Sequence, residues 1–359
     1  MKKIAINGLG RIGKLVFQYI LESEAYKNGE IDVVAINDLT GVSQLAYLLK
    51  YDSTQQSMLD KGHTVEFKDF TDPVGGHSDH VEPVGALVID GKEFKVYAEP
   101  NPTQLPWGVL GVDTVCECTG RFATVEAAHQ HIEAGAKHVI VNSPVKGVPN
   151  VVFNVNSDSL TGDEEIICGA SCTTNCLAPL AKILDEKFGI VKGMMTTVHS
   201  YTADQTILDT PHKKGEKSRR GRCAGANIVP ATTGAAEAVA KALPQLKGKL
   251  TGMAMRVPTP TGSVVVFDVE LAKPDLAPEA INFVLEKEMD NVAISGTWDP
   301  VVSSDIIGCK YGSYVDFLST KVLESDGKTT MAQVVSWYDN EASYTHQYVN
   351  TLIHWMSLK

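Results

Sequence analysis

Residues 3–16, KIAINGLGRIGKLV, decide the fold of the amino-terminal part of the chain. A short apolar run ends in Gly8, Gly10 and Gly13, and apolar residues then recur at helical spacing over residues 12–21. A second apolar run, IDVVAI, occupies residues 31–36. The order strand, glycine turn, helix, strand predicts a βαβ unit with parallel strands and a right-handed crossover.

The three glycines form the pattern G-x-G-x-x-G at the turn from strand to helix. The first glycine permits a tight turn, the second lets a pyrophosphate approach the backbone, and the third lets the helix pack closely on the strand. Asp38 follows at the end of the second predicted strand, where a carboxylate can accept both ribose hydroxyls. The alternative is an ordinary turn in which Asp38 caps the next helix. The spacing favours a dinucleotide-binding site.

Later segments extend this pattern and then change it. Strand-like runs at residues 114–118, 138–141 and 151–154, with a helix over 125–134, continue a parallel sheet. Residues 52–106 are rich in proline and glycine, which predicts hairpins and loops. After residue 171 the sequence predicts a sheet with one solvated or helix-covered face, built from alternating runs at 193–198, 253–257 and 263–271 and flanked by helices at 175–187 and 278–289.

The composition is that of an ordinary globular protein. Of 359 residues, 43% are hydrophobic and 21% are charged, and the formal net charge is −11, which disfavours nucleic acid or an anionic membrane as the main partner. Seven cysteines, an odd number in a large chain, predict a reduced, cytoplasmic protein. A metal site at Cys168, Cys172 and Cys176 is the weaker alternative, because no nearby histidine completes it. No metal is expected.

Cys172 is the candidate nucleophile. It lies just before a predicted helix, where the helix dipole favours a thiolate, whereas Cys176 lies one turn later among leucines. His199 ends an apolar run and opens a polar segment, which makes it a candidate base for that thiol. The basic stretch at residues 213–222 has two interpretations: a solvated loop, or a loop that contacts phosphate groups or a neighbouring subunit.

Several blocks, in order along nearly the whole chain, carry a resemblance to a known family. They are INGLGRIGK at 6–14, VVAINDLT at 33–40, YDST at 51–54, ASCTTNCLAPLAK at 170–182, TTVHSYTADQ at 196–205, PATTGAAEAV at 230–239, GMAMRVPTP at 252–260 and WYDNE at 337–341. The chain resembles phosphorylating glyceraldehyde-3-phosphate dehydrogenase. The resemblance implies NAD-dependent oxidation of glyceraldehyde 3-phosphate, with inorganic phosphate, to 1,3-bisphosphoglycerate through a cysteine thiohemiacetal and thioester.

The resemblance also implies roles for individual residues. Cys172 would be the nucleophile and His199 its acid–base partner. The substrate and phosphate sites would comprise Ser171, Thr173, Thr202, Thr233, Gly234 and Arg256, together with either Arg219 or Arg220. The NAD site would comprise Gly8, Gly10, Arg11, Ile12, Gly13, Asp38, Thr119, Asn340 and Tyr344. The chain departs from the family pattern at Ala342-Ser343 and Thr261-Gly262, and in an irregular segment at 55–95.

The implied architecture is an α/β fold: a Rossmann-type parallel-sheet domain plus an α+β catalytic domain with a mostly antiparallel sheet. Residues 1–171, completed by 340–359, would form the dinucleotide-binding domain, and residues 172–339 the catalytic domain. A homotetramer is expected. Two other interpretations stay open: erythrose-4-phosphate dehydrogenase, which shares the Cys–His pair, and a binding or adhesion protein on an inactive fold. The second predicts loss of Cys172, His199 or Arg256, and all three are present.

Overall fold

The structure, a computed structural model, describes residues 1–70, 81–212, 215, 217–323 and 327–358. Part of the irregular segment (71–80) and three positions of the basic stretch (213, 214 and 216) lie outside the described residues. The chain forms two compact units. The first comprises Met1–Val151, Ser157–Ala170 and Tyr348–Lys359, and the second comprises Val152–Asn156 and Ser171–Gln347.

The first unit contains an eight-stranded sheet with the order β3-β4-β5-β2-β1-β6-β7-β8. Its strands are β1 (Lys2–Asn7), β2 (Ile31–Asn37), β3 (Val65–Asp69), β4 (Gly85–Ile89), β5 (Lys92–Tyr97), β6 (Thr114–Glu117), β7 (His138–Val141) and β8 (Ile166–Cys168). All pairings from β5 to β8 are parallel, whereas β3, β4 and β5 pair antiparallel at one edge. The predicted parallel sheet is therefore confirmed, and hairpin strands occupy part of residues 52–106.

Helices connect the parallel strands of this unit. They are α1 (Arg11–Glu22), α2 (Glu24–Lys27), α3 (Val42–Lys50), α4 (Trp107–Leu110) and α5 (Val125–Glu133). The apolar face of α1 is buried from Leu15 to Ile20, as its helical spacing predicts. A second cluster of buried apolar side chains joins the sheet to α4 and α5 and includes Val115, Val139, Trp107 and Ala128. This packing holds the carboxyl ends of the central strands in fixed positions.

The second unit contains a seven-stranded sheet with the order β10-β11-β9-β12-β15-β14-β13. Its strands are β9 (Ile190–Ser200), β10 (Val229–Thr232), β11 (Leu250–Val257), β12 (Ser263–Leu271), β13 (Ile294–Thr297), β14 (Ser313–Val322) and β15 (Thr330–Tyr338). Four of the six pairings are antiparallel, and β11–β9 and β13–β14 are parallel. Its helices are α6 (Cys172–Phe188), α7 (Ala235–Ala242) and α8 (Pro278–Glu288), with the first turns of α9 (Ala342–Ser357).

One face of this second sheet is covered by α6, which packs against β9, β12, β14 and β15. Alternate residues of β12 are buried throughout the strand, as its pattern predicts. The predicted fold class, a Rossmann-type parallel sheet together with a mostly antiparallel sheet and helices, is confirmed. Because α6 begins at Cys172, its first turn lies where β9 and β15 end.

The strand predicted at residues 151–154 is wrong. Only a single bridge forms there, between Asn150 and Cys168, and the chain then turns, with the N–H of Val155 donating to the carbonyl of Val152. Asn154 has a φ of 57°, which no extended strand contains. The run looked strand-like because its valines are buried, and burial alone does not distinguish a strand from a packed turn.

Candidate active site

The glycine turn between β1 and α1 has the geometry that its spacing predicts. Gly8 has a φ of 89°, and a Cβ there would lie 2.9 Å from the backbone nitrogen of Thr119. A Cβ on Gly13 would lie 1.9 Å from the carbonyl oxygen of Gly8, whereas one on Gly10 would meet open space. The turn is thus packed closely on its inner side and is open at Gly10, where a ligand can approach the backbone.

A cavity of about 240 Å³ opens at the carboxyl ends of the parallel strands of the first unit. Its lining includes Gly8, Gly10, Asp38, Glu99, Thr119 and Phe122. Gly10 is the N-cap of α1 and has no side chain that could satisfy the first N–H groups of that helix. These N–H groups and the dipole of α1 suit an anionic pyrophosphate. The residues present therefore fit a dinucleotide.

Asp38 does not cap the following helix, so that alternative is wrong. Helix α3 begins at Val42, with Gly41 as its N-cap. The carboxylate of Asp38 instead accepts a hydrogen bond from the N–H of Leu9 at 2.7 Å and one from the N–H of Thr40 at 2.9 Å. It is thereby fixed beside the glycine turn.

Arg11 and Ile12 begin α1, and the side chain of Arg11 is held by a buried acid. Asp52 lies 2.6 Å from Arg11 Nη1 and 2.6 Å from Lys14 Nζ, and the side chain of Asp52 is only 3% exposed. Although burial opposes ionisation, hydrogen bonds from Arg11 and Lys14 hold the pKa of Asp52 far below its usual range. Arg11 is thus tied to the loop that contains the YDST block.

The candidate nucleophile and base are in contact in the second unit. Cys172 is the first residue of α6, and Ser171 is its N-cap, with the hydroxyl accepting from the N–H of Thr174 at 3.2 Å. Cys172 Sγ lies 3.3 Å from His199 Nε2 at the end of β9. His199 Nδ1 lies 2.7 Å from the carbonyl of Ser200, so Nδ1 carries the proton and Nε2 is left to accept one.

The pKa shifts of Cys172 and His199 run against the thiolate that the helix position predicts. Burial raises the pKa of the Cys172 thiol, and the charge of Arg256 opposes that change only in part. Burial, together with Arg256, lowers the pKa of His199 to about 3. Both shifts favour the neutral thiol and the neutral imidazole over an ion pair, because desolvation is the largest cause of each.

Arg256 lies beside the pair because β11 runs parallel to β9, with Arg256 opposite His199 in the register. Its Nη1 donates to the carbonyl of Ser200 at 3.1 Å and to the hydroxyl of Thr202 at 2.8 Å. Its Nε is buried and has no hydrogen-bond partner among the described residues. The guanidinium thus retains a donor for an additional acceptor.

A second guanidinium, that of Arg220, is linked to Thr202 through Asp204, which the sequence alone did not mark as a site residue. Asp204 accepts from the hydroxyl of Thr202 and is ion-paired with Arg220. Arg220 is largely buried, whereas Arg219 is exposed, and the charge of Arg220 also lowers the pKa of His199. Asp204 lies within the TTVHSYTADQ block, two residues after Thr202. Its place in that block is the feature of the sequence that could have identified it as a site residue.

Thr173 is engaged in a buried network that includes a second overlooked residue, Tyr338. The tyrosine hydroxyl lies 2.9 Å from Thr173 Oγ1 and 2.8 Å from Thr197 Oγ1. Its ring is fully buried and meets the ring of His199 edge to face, with centroids 5.8 Å apart. Tyr338 therefore packs against the ring of His199 and helps to hold that ring in place. Its place in WYDNE gave a family signal but no chemical one.

The remaining predicted residues lie at the starts of two helices. Thr233 and Gly234 immediately precede α7, and the hydroxyl of Thr233 accepts from the N–H of Ala235 at 3.2 Å. In the part of the chain that the structure describes, no hydrogen bond joins either residue to Arg256 or Cys172. Among the described residues, a hydrogen bond thus joins Arg256 to Thr202, and none joins Thr233 or Gly234 to that pair.

Asn340 precedes α9 and is held by two hydroxyls. Its side-chain oxygen accepts from Ser263 at 3.1 Å and lies 3.2 Å from the hydroxyl of Thr261, which donates mainly to Asp339 at 2.6 Å, so the NH₂ group of Asn340 is the end that can donate to a ligand. Thr261 belongs to the pair that departs from the family pattern, and here it supports Asn340. Tyr344 is 4% exposed in the first turns of α9.

Comparisons with known proteins place the chain in a family. The family profile of the glyceraldehyde 3-phosphate dehydrogenase NAD binding domain matches residues 2–125, and that of the C-terminal domain matches residues 171–340. A glyceraldehyde-3-phosphate dehydrogenase of Clostridium pasteurianum is 48% identical over 353 residues, which cover 98% of each chain. The chain belongs to the glyceraldehyde-3-phosphate dehydrogenase family.

Other relatives support the same membership. The glyceraldehyde-3-phosphate dehydrogenase of Clostridium acetobutylicum is 46% identical over 359 residues, covering 100% of this chain and 99% of that protein. The glyceraldehyde-3-phosphate dehydrogenase of Streptococcus pyogenes is 48% identical over 352 residues, covering 98% and 97%. The resemblance to this family that the sequence blocks carry is confirmed.

Among the residues that the structure describes, no three His, Cys, Asp or Glu side chains are grouped so that they could hold a metal ion. Within the same residues, every helix is too short or too polar to cross a membrane.

Proposed function

We propose that this protein oxidises glyceraldehyde 3-phosphate with NAD and inorganic phosphate, and that it forms 1,3-bisphosphoglycerate. The observation that carries this proposal is the contact of 3.3 Å between Cys172 Sγ and His199 Nε2, beside the guanidinium of Arg256. A thiol, a base with a fixed tautomer and a phosphate-binding cation are what this reaction requires. Family membership supports the same substrate and cofactor.

The first step of the mechanism uses the neutral pair. Cys172 Sγ attacks the aldehyde carbon while its proton passes to His199 Nε2, and His199 returns that proton to the aldehyde oxygen. The product is a thiohemiacetal on Cys172. The bond between His199 Nδ1 and the carbonyl of Ser200 keeps Nε2 directed at the reacting atoms.

Oxidation and phosphorolysis follow on the same thiol. NAD, when bound, would supply the acceptor for the hydride that leaves the thiohemiacetal carbon. His199 takes the hydroxyl proton in that step, and a thioester remains on Cys172. Inorganic phosphate then attacks the thioester carbonyl, the phosphate proton is lost to solvent, and Cys172 leaves with the proton held by His199. An acyl phosphate is released, and the thiol and imidazole return to their resting states.

Arg256 and Thr202 form the best-supported phosphate subsite, because the guanidinium and the hydroxyl are already 2.8 Å apart. Of the two candidates in the basic stretch, we assign Arg220 to phosphate binding, since it is linked to Thr202 through Asp204 whereas Arg219 is exposed. An anion on Arg256 would offset a charge that lowers the pKa of His199, and would therefore make His199 a stronger base.

We keep the other predicted phosphate ligands in the proposal, because they lie at the amino ends of two helices. Ser171 and Thr173 lie at the amino end of α6, where N–H groups favour an anion, although the hydroxyl of Thr173 also contacts Tyr338. Thr233 and Gly234 lie at the amino end of α7 and would form a second anion site there.

The cavity at the glycine turn would hold the dinucleotide. Gly8, Gly10 and Gly13 would admit the pyrophosphate, with the backbone N–H groups of Arg11 and Ile12 at the start of α1 as donors. Asp38 and Thr119 would contact the adenosine half, and Asn340 and Tyr344 the nicotinamide half. We assign the cofactor role to residues 1–171 with 340–359, and the catalytic role to residues 172–339.

We also propose a cytoplasmic homotetramer. All seven cysteines are free thiols, which suits a reducing compartment. The loop around residues 200–225 exposes apolar side chains, Ile207 at 83% and Leu208 at 69%, and Ile228 nearby is 68% exposed. Such side chains indicate an interface with another subunit. Sedimentation of the purified protein tests the assembly, and a monomer would contradict it.

The activity is tested by following NADH formation with glyceraldehyde 3-phosphate, with and without inorganic phosphate. We expect sustained turnover only when phosphate is present. Cys172→Ser should abolish turnover, whereas the matched control Cys176→Ser should retain it, because Cys176 is fully buried one turn further along α6. An active Cys172→Ser protein would refute the assignment. A parent that prefers erythrose 4-phosphate would refute the substrate.

A further inference from the structure

A chain of buried polar side chains lies beneath the cavity in the first unit, and the proposed mechanism does not use it. Its central members are Glu117, the last residue of β6, and His131 of α5, both of which are 0% exposed. Glu117 Oε2 lies 3.1 Å from His131 Nε2. Burying an acid and a histidine is costly unless every polar atom is satisfied, so the partners of this pair define its role.

The tautomer of His131 follows from Trp107. The indole Nε1–H can only donate, and it lies 3.0 Å from His131 Nδ1. His131 Nδ1 must therefore be unprotonated, and the ring proton is on Nε2, where it donates to Glu117. His131 is thus a neutral donor, aligned by a tryptophan that is itself fully buried.

Glu117 accepts three further hydrogen bonds. Asn7 Nδ2 donates to Oε2 at 2.5 Å, and the N–H of Thr119 donates to Oε1 at 2.8 Å. The hydroxyl of Thr119 also donates to Oε1. Four groups donate to the carboxyl oxygens of Glu117, so its acceptor sites are all used.

The same chain continues across the neighbouring strands. Asn7, at the end of β1, accepts from Asn37 Nδ2 at 2.8 Å, and Asn37, at the end of β2, accepts from the N–H of Glu99 at 2.9 Å. Because a backbone N–H can only donate, it fixes the orientation of the amide of Asn37 and, through it, that of Asn7. The network thus joins the ends of β1, β2 and β6 to the segment after β5.

Four members of this network also line the cavity: Asn7, Asn37, Glu99 and Thr119. Thr119 is in addition the residue against which Gly8 packs, at distances that leave no room for a Cβ. A change in the position of Thr119 would therefore move the glycine turn as well. Within the part of the chain that the structure describes, Glu117 is the one side chain that holds both Thr119 and Asn7.

We propose that Glu117, aligned by His131 and Trp107, is a positioning residue for dinucleotide binding. It does not touch the ligand, and acts by holding Thr119 and Asn7 at the floor of the cavity. The inference rests on the proposed function, because it takes this cavity to be the NAD site. It predicts that a change at Glu117 weakens NAD binding while the chemistry of Cys172 stays intact.

The test is Glu117→Gln, which keeps the size of the side chain but places an NH₂ group against the Thr119 N–H or the His131 Nε2–H, neither of which can accept. The matched control is Glu126→Gln on the exposed surface of α5. Calorimetry measures the Kd for NAD, the alkylation rate reports on Cys172, and thermal melting without NAD reports on stability. We expect the Kd to rise about ten- to a hundredfold, the scale of a lost hydrogen bond to a charged group, and the alkylation rate to be unchanged.

A second variant covers the case in which Glu117→Gln does not fold. Trp107→Phe keeps an aromatic ring in place but removes the N–H donor to His131 Nδ1. The ring proton of His131 can then move to Nδ1, which leaves the lone pair of Nε2 facing Glu117. We expect a smaller rise in Kd, about threefold to tenfold. If both variants melt at lower temperature but bind NAD with the parental Kd, Glu117 is merely structural and the inference is overturned. A parent that does not bind NAD would overturn the proposed function as well.

Discussion

The contact between His199 and Cys172 leads to a prediction about how pH controls the loss of this base. In His199→Asn, the acceptor 3.3 Å from Cys172 Sγ is removed, while the size of the side chain changes little. The thiol must then ionise by itself before it attacks. Burial raises its pKa above the ordinary value, so the thiolate fraction at neutral pH is lower than that of a free thiol.

The size of the effect follows from that pKa. A thiol at the ordinary value of about 8.5 is about 3% ionised at pH 7, and a raised pKa gives less. In the parent, His199 takes the thiol proton as the sulfur reacts, so the parent behaves as a fully ionised thiol. We therefore expect His199→Asn to be alkylated at least about thirtyfold more slowly than the parent at pH 7. Because the thiolate fraction rises tenfold per pH unit below the pKa, the deficit should shrink by that factor for each unit of pH up to the raised pKa of Cys172.

The assay is the rate of iodoacetamide labelling of Cys172 between pH 6 and pH 9. NADH formation, measured in parallel, should fall by about 100- to 10,000-fold, because His199 also moves the hydroxyl proton. His129→Asn, on the exposed surface of α5, is the control and should behave as the parent. A deficit of less than tenfold at pH 7, or one that does not change with pH, would refute the reasoning.

Three further predictions test other parts of the site. Arg256→Ala should lower kcat/KM for glyceraldehyde 3-phosphate about a hundredfold more than for unphosphorylated glyceraldehyde, and an equal loss would indicate a folding role. Asp38→Gly should shift the ratio of catalytic efficiencies from NAD towards NADP, because a carboxylate repels a 2′-phosphate, and an unchanged ratio would exclude Asp38 from cofactor selection. Asp52→Asn should lower the free energy of unfolding at pH 7 by about 3 kcal/mol, since it leaves Lys14 nearly buried without its acid. The lowered pKa of Asp52 stabilises the fold above about pH 4, and this stabilisation is lost on acidification; urea denaturation should therefore show a weaker pH dependence in Asp52→Asn below pH 4, and parallel curves would contradict this.

Local sequence determined the parts of the site that lie within a few residues of one another. The glycine spacing at 8–13 specified the turn between β1 and α1, because each glycine answers a steric demand of its immediate neighbours. The position of Cys172 at the start of a helix was equally legible, since caps and helical periodicity are local signals. The blocks of sequence also sufficed to indicate the family and its substrate.

Some local patterns had more than one structural solution. The buried valines of residues 151–154 fit a strand and a packed turn equally well, and only tertiary packing selected the turn. The thiol of Cys172 was expected to have a lowered pKa because its helix position is visible in the sequence, whereas its desolvation is not. Burial depends on which elements cover a residue, and sequence spacing does not reveal this.

The long-range contacts were decided by the tertiary structure alone. The parallel register of β9 and β11 places Arg256 opposite His199, although the two are far apart in sequence, and a shift of one residue would turn Arg256 to the other face. The links of Arg220 through Asp204, and of His131 to Glu117, likewise join residues from different elements. The sequence thus determined which chemical groups are present and the local geometry of the turn and of the helix start. Only folding determined which charges and donors meet, because hydrogen bonds and electrostatic shifts act over a few ångströms in space whatever the separation along the chain.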